Sequence, residues 1–274
     1  MQLGIVGLGV VGSAIKYGFE KLGNDVAVHD IAQNTNIEDV LSSEIVYICV
    51  PTPSDSEGNC DTSIVESVVD ELVNKNYEGI IAIKSTVEPG TTERLIKKHE
   101  GRKICFVPEF LRERMASCDF TENHTLLVVG VSSIGHAYEQ SVQGITELIV
   151  KSHGKYPNTF MSCSPTEAEL IKYAHNTINS TRITWANSMY EICKSLDCNY
   201  DIVKESILMT SSMPDLYLDV NENFRGYSGA CLVKDTLGLA KLCEKLDNGV
   251  EFFDKIHSEN EKYDKTVLPG MRPE

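Results

Sequence analysis

A chain of 274 residues, 42% hydrophobic and 24% charged, buries a full core and divides into one large or two medium domains. With 40 Asp and Glu against 25 Lys and Arg, its formal charge of -15 repels nucleic acid and anionic membranes, so a bound phosphate belongs to a small molecule held by backbone amides, helix N-termini or a few placed cations. No apolar stretch is long enough for a membrane span, MQLGIVGLG has no basic leader, and the nine cysteines form no CxxC or Cys/His cluster, which predicts a reduced, cytoplasmic protein with no metal site.

The elements follow in chain order. LGIV at 3–6 is a short apolar run ending in glycines, residues 13–22 carry helical spacing, and DVAVH at 25–29 is a second apolar run, giving a strand-helix-strand unit that begins at residue 2. The alternation continues through strands at 45–50, 79–84, 103–107, 125–130 and 158–161, with helices over about 62–75, 90–99 and 136–148. Such alternation predicts an α/β fold built on a Rossmann-type, doubly wound, mostly parallel sheet. The pattern changes near Cys163. From Ser164 the sequence supplies a cap, a proline at the first helical position, acids in the first turn and apolar residues every three to four positions, which predicts one helix of about 30 residues. Further helices at about 200–209, 235–247 and 250–264, with no strand after 164, make the second domain all-helical. A helix that long on a small domain needs a large partner, and a second copy of the chain is the simplest one. The predicted domains are therefore 1–163 and 164–274, and the final DKTVLPGMRPE reads as a frayed tail or a linker.

Gly7, Gly9 and Gly12 make G-x-G-x-x-G, with Val10 and Val11 inside it, directly between a predicted strand and a predicted helix. The first glycine permits the tight turn, the second lets the backbone approach a pyrophosphate, and the third lets helix meet sheet. Asp30 closes the second strand, where a carboxylate accepts the adenine-ribose hydroxyls, and IAQNTN after it offers no Arg for a 2′-phosphate, so NAD is favoured over NADP. The competing reading is three turn glycines and a surface Asp.

Three later segments, VPTP at 50–53, KSTVEPGTT at 84–92 and PEFLRE at 108–113, begin at the carboxyl ends of predicted strands. Ligands bind at that edge of an open α/β sheet, so Thr52, Thr86, Glu109 and Glu113 are placed to converge on one crevice. Taken singly, each reads equally as a proline turn, a helix cap or a solvated carboxylate. Glu169, Lys172 and Asn176 share one face of the long helix, and a polar ladder of that spacing is most often a solvated face. GYSGACLVKD at 226–235 is a glycine-rich loop that delivers Cys231 and enters a helix through Lys234 and Asp235. A thiol beside a helix N-terminus and a lysine is set to carry a useful thiolate fraction, whereas the other eight cysteines read as small buried hydrophobes.

In order and at similar intervals, GLGVVG, VPTP, KSTVEPGTT, PEFLRE, E-x-x-K-x-x-x-N at 169–176 and GYSGACLVKD resemble the UDP-glucose/GDP-mannose dehydrogenase family. The resemblance implies an NAD-binding domain and a helical domain that forms a homodimer core. It also implies an NAD-dependent, two-step, four-electron oxidation of a nucleotide sugar's primary alcohol to a carboxylate. By motif position, Cys231 would form a thiohemiacetal and then a thioester, with Lys172 and Asn176 beside the reacting oxygen. Thr86, Glu109 and Asp235 would position or deprotonate water, Glu109 being the base for thioester hydrolysis. Val50, Pro51, Thr52, Ser85, Thr86 and Lys234 would join the glycine loop at the cofactor. Glu109, Phe110, Leu111, Glu113, Lys172, Tyr227 and Gly229 would meet the substrate.

The departures from the family pattern concern the nucleotide handle more than the chemistry. The excursion between Asp30 and Ile45 is short, PDLYLDVNENF lacks the Arg of the family's D-x-R segment, Glu122-Asn123-His124 stands where P-x-R is usual, and GYSGAC replaces G-[FY]-G-G-S-C. The resemblance also runs out after about residue 264, where the family's third domain would be expected to begin. Two alternatives stay open: a single-hydride dehydrogenase of the β-hydroxyacid type, which does not need Cys231, and an inactive NAD-binding dimeric scaffold.

Overall fold

The computed structural model describes residues 1–132, 139–210, 214–229 and 231–265; residues 136–138 of the helix predicted at 136–148, and the predicted tail from 266 on, lie outside them. Contacts divide the chain into two units, Met1–Asp55 with Cys60–Lys172 and Ser56–Asn59 with Tyr173–Glu274.

The first unit is one seven-stranded sheet. Its strands are β1 (Gln2–Val6), β2 (Asp25–His29), β3 (Ile45–Ile48), β4 (Ile80–Ile83), β5 (Lys103–Phe106), β6 (Leu126–Gly130) and β7 (Thr159–Cys163), in the order β2-β1-β3-β4-β5-β6-β7. Neighbours are parallel except β5 and β6, which meet antiparallel at Phe106 and Gly130. β3 (IVYI) and β4 (IIAI) are buried at every position, as a parallel strand covered on both faces must be. Alternate side chains feed two cores. Val46, Ile48, Ile81 and Ile83 pack with Val65, Val69 and Leu72 of α2 (Ser63–Asn74) and with Leu95 and Ile96 of α3 (Thr91–Lys98). Ile45, Tyr47, Ile80 and Ala82 pack with Ile15 and Phe19 of α1 (Val10–Lys21), Phe120 of α4 (Ala116–Thr121), and Ile145 and Ile149 of α5 (Glu139–His153). Helices on both faces make the sheet doubly wound, as predicted. Helix α4 was not predicted, because six residues reading ASCDFT have no periodicity. Its Phe120 presses on Gly18 of α1, where an added Cβ would stand 2.3 Å from the ring.

The long helix α6 (Pro165–Ser195) runs 31 residues. It opens on the predicted cap: the Ser164 N–H donates to Glu167 Oε2 at 2.8 Å, and the Glu167 N–H donates back to Ser164 Oγ at 3.3 Å. The first unit includes its opening turns through Lys172. The second unit holds the rest of α6 with α7 (Tyr200–Thr210), α8 (Leu232–Lys245) and α9 (Phe252–Asn260); a small core of Ala186, Cys193, Tyr200, Leu218 and Val220 joins α6 and α7 to the segment after α7, and α8 packs on α9. Helix α8 starts three residues before its predicted beginning at 235, because Cys231 occupies the N-cap without a capping side-chain bond to announce it. Among the described residues no helix is long and apolar enough to cross a membrane, and no group of His, Cys, Asp and Glu is arranged to hold a metal.

Candidate functional site

Because β1 lies between β2 and β3, the winding reverses between β1 and β3, and their carboxyl ends open the crevice where an α/β sheet takes a ligand. Gly7 leaves β1 there. Its N–H donates to the His29 carbonyl at 2.8 Å, its φ is +93°, and an added Cβ would stand 2.8 Å from the Cys49 carbonyl oxygen. At Gly12 an added Cβ would stand 1.9 Å from the Gly7 carbonyl oxygen, so α1 closes on the loop only with glycine at that position. Gly9 differs, with nothing within 4 Å of its Cβ direction. That open side lies at the N-terminus of α1, beside half-buried Val10 and Val11, and is the approach a pyrophosphate needs. The Asp30 carboxylate accepts the Leu8 N–H at 2.6 Å and the Ala32 N–H at 2.8 Å, which fixes it against the glycine loop. A cradle of this shape with a carboxylate at the end of β2 fits a dinucleotide.

The next strand ends continue the same edge. Val50, Pro51 and Thr52 follow β3, and the Ser85 hydroxyl at the end of β4 donates to the Val50 carbonyl at 2.7 Å, joining the two loops. Thr52 and Ser85 are buried, Pro51 is exposed, and Thr86 is half-buried. After β5, Glu109 turns inward. Its Oε2 lies 2.9 Å from Lys84 Nζ, out of hydrogen-bond alignment, with the two side chains 5% and 0% exposed. Its Oε1 accepts the Phe110 N–H at 3.0 Å. Burial raises this carboxyl, but the Lys84 ammonium, His124 and the Phe110 N–H outweigh it and hold Glu109 below the ordinary carboxylate range. Removing one partner of such a buried pair costs about 3–5 kcal/mol. Leu111 packs into the core beneath α1, and Glu113 opens a short 3-10 turn, half-buried.

The polar ladder of α6 is no solvated face. Glu169 is fully buried and accepts the Gly90 N–H at 2.6 Å and the Thr92 N–H at 2.8 Å, at the N-terminus of α3. Burial, acting against those two donors, pushes its carboxyl up to about 7. The Lys172 ammonium sits 5.7 Å from the centre of the Phe110 ring. The opening turns of α6 thus hold both the loop that carries Thr86 and the loop that carries Glu109.

In the second unit, buried Asn176 donates its side-chain amide to Asp235 Oδ2 at 2.5 Å, and Lys234 Nζ meets Asp235 Oδ1 at 2.6 Å. Cys231 is the exposed N-cap of α8, and its carbonyl accepts the Asp235 N–H at 2.9 Å. Of the eight other cysteines, read from the sequence as small buried hydrophobes, Cys60, Cys105, Cys193 and Cys243 are buried, Cys49, Cys118 and Cys163 are half-buried, and Cys198 is exposed, its place just past the end of α6 leaving it open to solvent; burial pushes Cys49 and Cys105 up to about 12 and also raises Cys163. The loop before Cys231 is anchored by residues that the sequence did not single out. Buried Asn260 accepts the Tyr227 N–H at 2.8 Å and donates to the Tyr227 carbonyl at 2.9 Å, imitating a paired strand. Arg225 donates to Asn187 at 2.8 Å and to Glu191 at 2.5 Å, with its guanidinium 4.9 and 5.0 Å from the Tyr190 and Tyr263 rings. Tyr227 is therefore buried, and Gly229 turns the loop at φ +83°. Lys84 was missed as well, although a lysine closing the apolar run GIIAIK signals a buried charge in need of a partner.

Residues 32–147 match the NAD binding domain of the UDP-glucose/GDP-mannose dehydrogenase family, and residues 166–262 match its central domain. UDP-glucose 6-dehydrogenase AglM of Haloferax volcanii is 28% identical over 285 residues, covering 87% of this chain and 64% of that protein. UDP-glucose 6-dehydrogenase of Rickettsia felis is 30% identical over 217 residues, covering 77% of this chain and 46% of that protein. The chain spans roughly half to two thirds of the length of these relatives. The solved structure of a UDP-glucose dehydrogenase from Pyrobaculum islandicum superposes with a TM-score of 0.83 at 24% identity, covering 95% of this chain and 68% of that one. The 3-hydroxyisobutyrate dehydrogenase of Mycobacterium tuberculosis superposes with a TM-score of 0.72 at 12% identity, covering 95% and 92%. These structural likenesses establish the shared fold. With both domain models matched in sequence, and a glycine cradle built for a dinucleotide, the chain belongs to the UDP-glucose/GDP-mannose dehydrogenase family and carries its NAD-binding domain.

Proposed function

We propose that this chain catalyses the NAD-dependent, four-electron oxidation of the primary alcohol of a nucleotide sugar to a uronic acid. The observation that carries the reading is Cys231, an exposed thiol on the N-cap of α8, in a chain whose first-turn carboxylate Asp235 holds both Asn176 and Lys234. Gly7, Gly9, Gly12 and Asp30, with Val50, Thr52, Ser85 and Lys234 alongside, would hold NAD⁺, which would supply the hydride acceptor for each of the two oxidations. The Cys231 sulfur adds to the aldehyde carbon to give a thiohemiacetal, whose oxidation leaves a thioester. Lys172 and Asn176 donate to the reacting oxygen as it gains negative charge, a contribution of about 3 kcal/mol for one well-placed donor. Glu109 accepts a proton from the water that releases the acid, with Thr86 and Asp235 positioning that water. Phe110, Glu113, Tyr227 and Gly229 shape the substrate's surroundings.

The chain works as a homodimer in this reading. Ile178, Trp185 and Ile192 are exposed at seven-residue intervals on α6, a stripe that a second copy of the same helix would cover.

The test is to count NADH released per substrate across UDP-, GDP- and dTDP-sugars and small hydroxyacids, for the natural chain and for Cys231→Ser. Two NADH per nucleotide sugar, with the serine variant stalled after the first oxidation, is the expected result. One NADH with the serine variant fully active would replace this reading by single-hydride chemistry.

A further inference from the structure

We propose that Lys84 is the positioning residue for Glu109, keeping that carboxylate ionised and fixed after β5 and so setting the pH range over which the thioester is hydrolysed; this rests on Glu109 being the base of that step. The argument begins with where Lys84 lies. It closes β4, a strand of four buried apolar residues, and its side chain is 0% exposed. Its ammonium makes no aligned hydrogen bond to a described residue, so Glu109 Oε2 at 2.9 Å is its charge partner and the Tyr47 ring, 5.8 Å away, is its apolar neighbour. A lysine in that place adds nothing to packing that an apolar side chain of similar length would not.

The surroundings of the pair supply little substitute charge, the contribution of His124 ranking below that of Lys84. Glu109 is faced by Lys84, by His124 from the segment before β6, and by the Phe110 N–H. Burial lowers His124 and favours its neutral ring. Lys84 is faced by Cys49 after β3, Cys105 on β5 and His153 on α5, whose thiols and ring burial also keeps neutral. Among these groups Lys84, 2.9 Å from Glu109 Oε2, is the foremost influence opposing burial of the carboxylate. A carboxylate so deeply buried without it takes up a proton, and a protonated carboxyl cannot serve as the base.

In the hydrolytic step the water oxygen bonds to the thioester carbon, a water proton passes to a Glu109 oxygen, and the C–S bond breaks with its electron pair leaving on the Cys231 sulfur. No oxidant is consumed. Oε2 faces Lys84 and Oε1 the Phe110 N–H, so each oxygen keeps a lone pair for the incoming proton.

The experiment compares the full natural chain with Lys84→Met, Glu109→Gln and the double variant, on two independent readouts. In chemical denaturation, Lys84→Met should be destabilised more at about pH 8 than at about pH 5, and adding Glu109→Gln should remove that difference. An equal offset at both pH values overturns the proposal. Should Lys84→Met fail to fold at about pH 8, folding at about pH 5 or in the double variant supports it, and a chain unfolded under all these conditions overturns it. In single turnover, acid release by Lys84→Met should fall about tenfold per pH unit below a limb moved to higher pH, and recover above that limb. A uniform loss at every pH counts against Lys84. If no nucleotide sugar is oxidised even by the natural chain, the proposed activity fails while denaturation still decides the role of Lys84.

Discussion

Asn176 and Asp235 meet at 2.5 Å across the second unit, with Lys234 on the other carboxylate oxygen at 2.6 Å. One buried acid thus orients an amide and neutralises a cation together. Asp235→Asn removes the charge and keeps the shape, replacing the charge-assisted bonds that Asn176 and Lys234 make to this carboxylate by bonds to a neutral amide. The expected effect is a loss of about 2–4 kcal/mol in urea denaturation, below that of a fully sealed pair because Lys234 is partly exposed. An unchanged midpoint would refute this account of the cluster.

The three loop glycines separate folding from binding. Gly12→Ala forces a Cβ to within 1.9 Å of a carbonyl oxygen and should lower the melting temperature steeply or abolish folding. Gly9→Ala meets open space, so it should melt like the natural chain while NADH affinity, followed by fluorescence titration, falls about tenfold or more. Equal melting losses in both variants would show that the loop is purely structural.

Glu169 brings a pH dependence whose sign is set by its raised pKa. In the fold it titrates near 7 against an ordinary 4.5, so the folded state binds the proton more tightly than the unfolded chain does. The stability it contributes is complete below the unfolded value and is lost as pH rises through the folded one. Glu169→Gln cannot titrate and should flatten the fall in stability between about pH 4.5 and 7 relative to the natural chain. Parallel stability curves for the two proteins would rule this out.

Trp185, the chain's one tryptophan, lies in the exposed stripe of α6 and reports on whatever covers it. Trp185→Lys should convert a dimer to a monomer in sedimentation, and dilution of the natural chain should shift its tryptophan emission to the red. A natural chain that sediments as a monomer at every concentration removes the dimer.

The sheet was legible because buried parallel strands read as apolar runs: IVYI and IIAI announce themselves, and G-x-G-x-x-G between the first strand and helix fixes the sheet's ligand edge. Helix α6 was legible from Ser164, Pro165 and Glu167, each acting on the first turn alone. What the sequence hid depends on long-range pairing. Lys84 and Glu109 stand 25 positions apart, Tyr227 and Asn260 33, and nothing in local spacing says that they meet. Glu169 was misread by the commoner rule, because i, i+3 and i+4 spacing describes a face without saying what covers it.

The bond from Glu169 to the start of α3 also bears on how the polypeptide can be dissected. A recombinant fragment ending at Cys163, where strands give way to helices, would contain all seven strands of the sheet with Gly7, Gly9 and Gly12 yet leave the amides of Gly90 and Thr92 without their acceptor. Extending the fragment through Lys172 restores that acceptor, so a soluble nucleotide-binding piece should require residues that belong, by helix count, to the other half of the molecule.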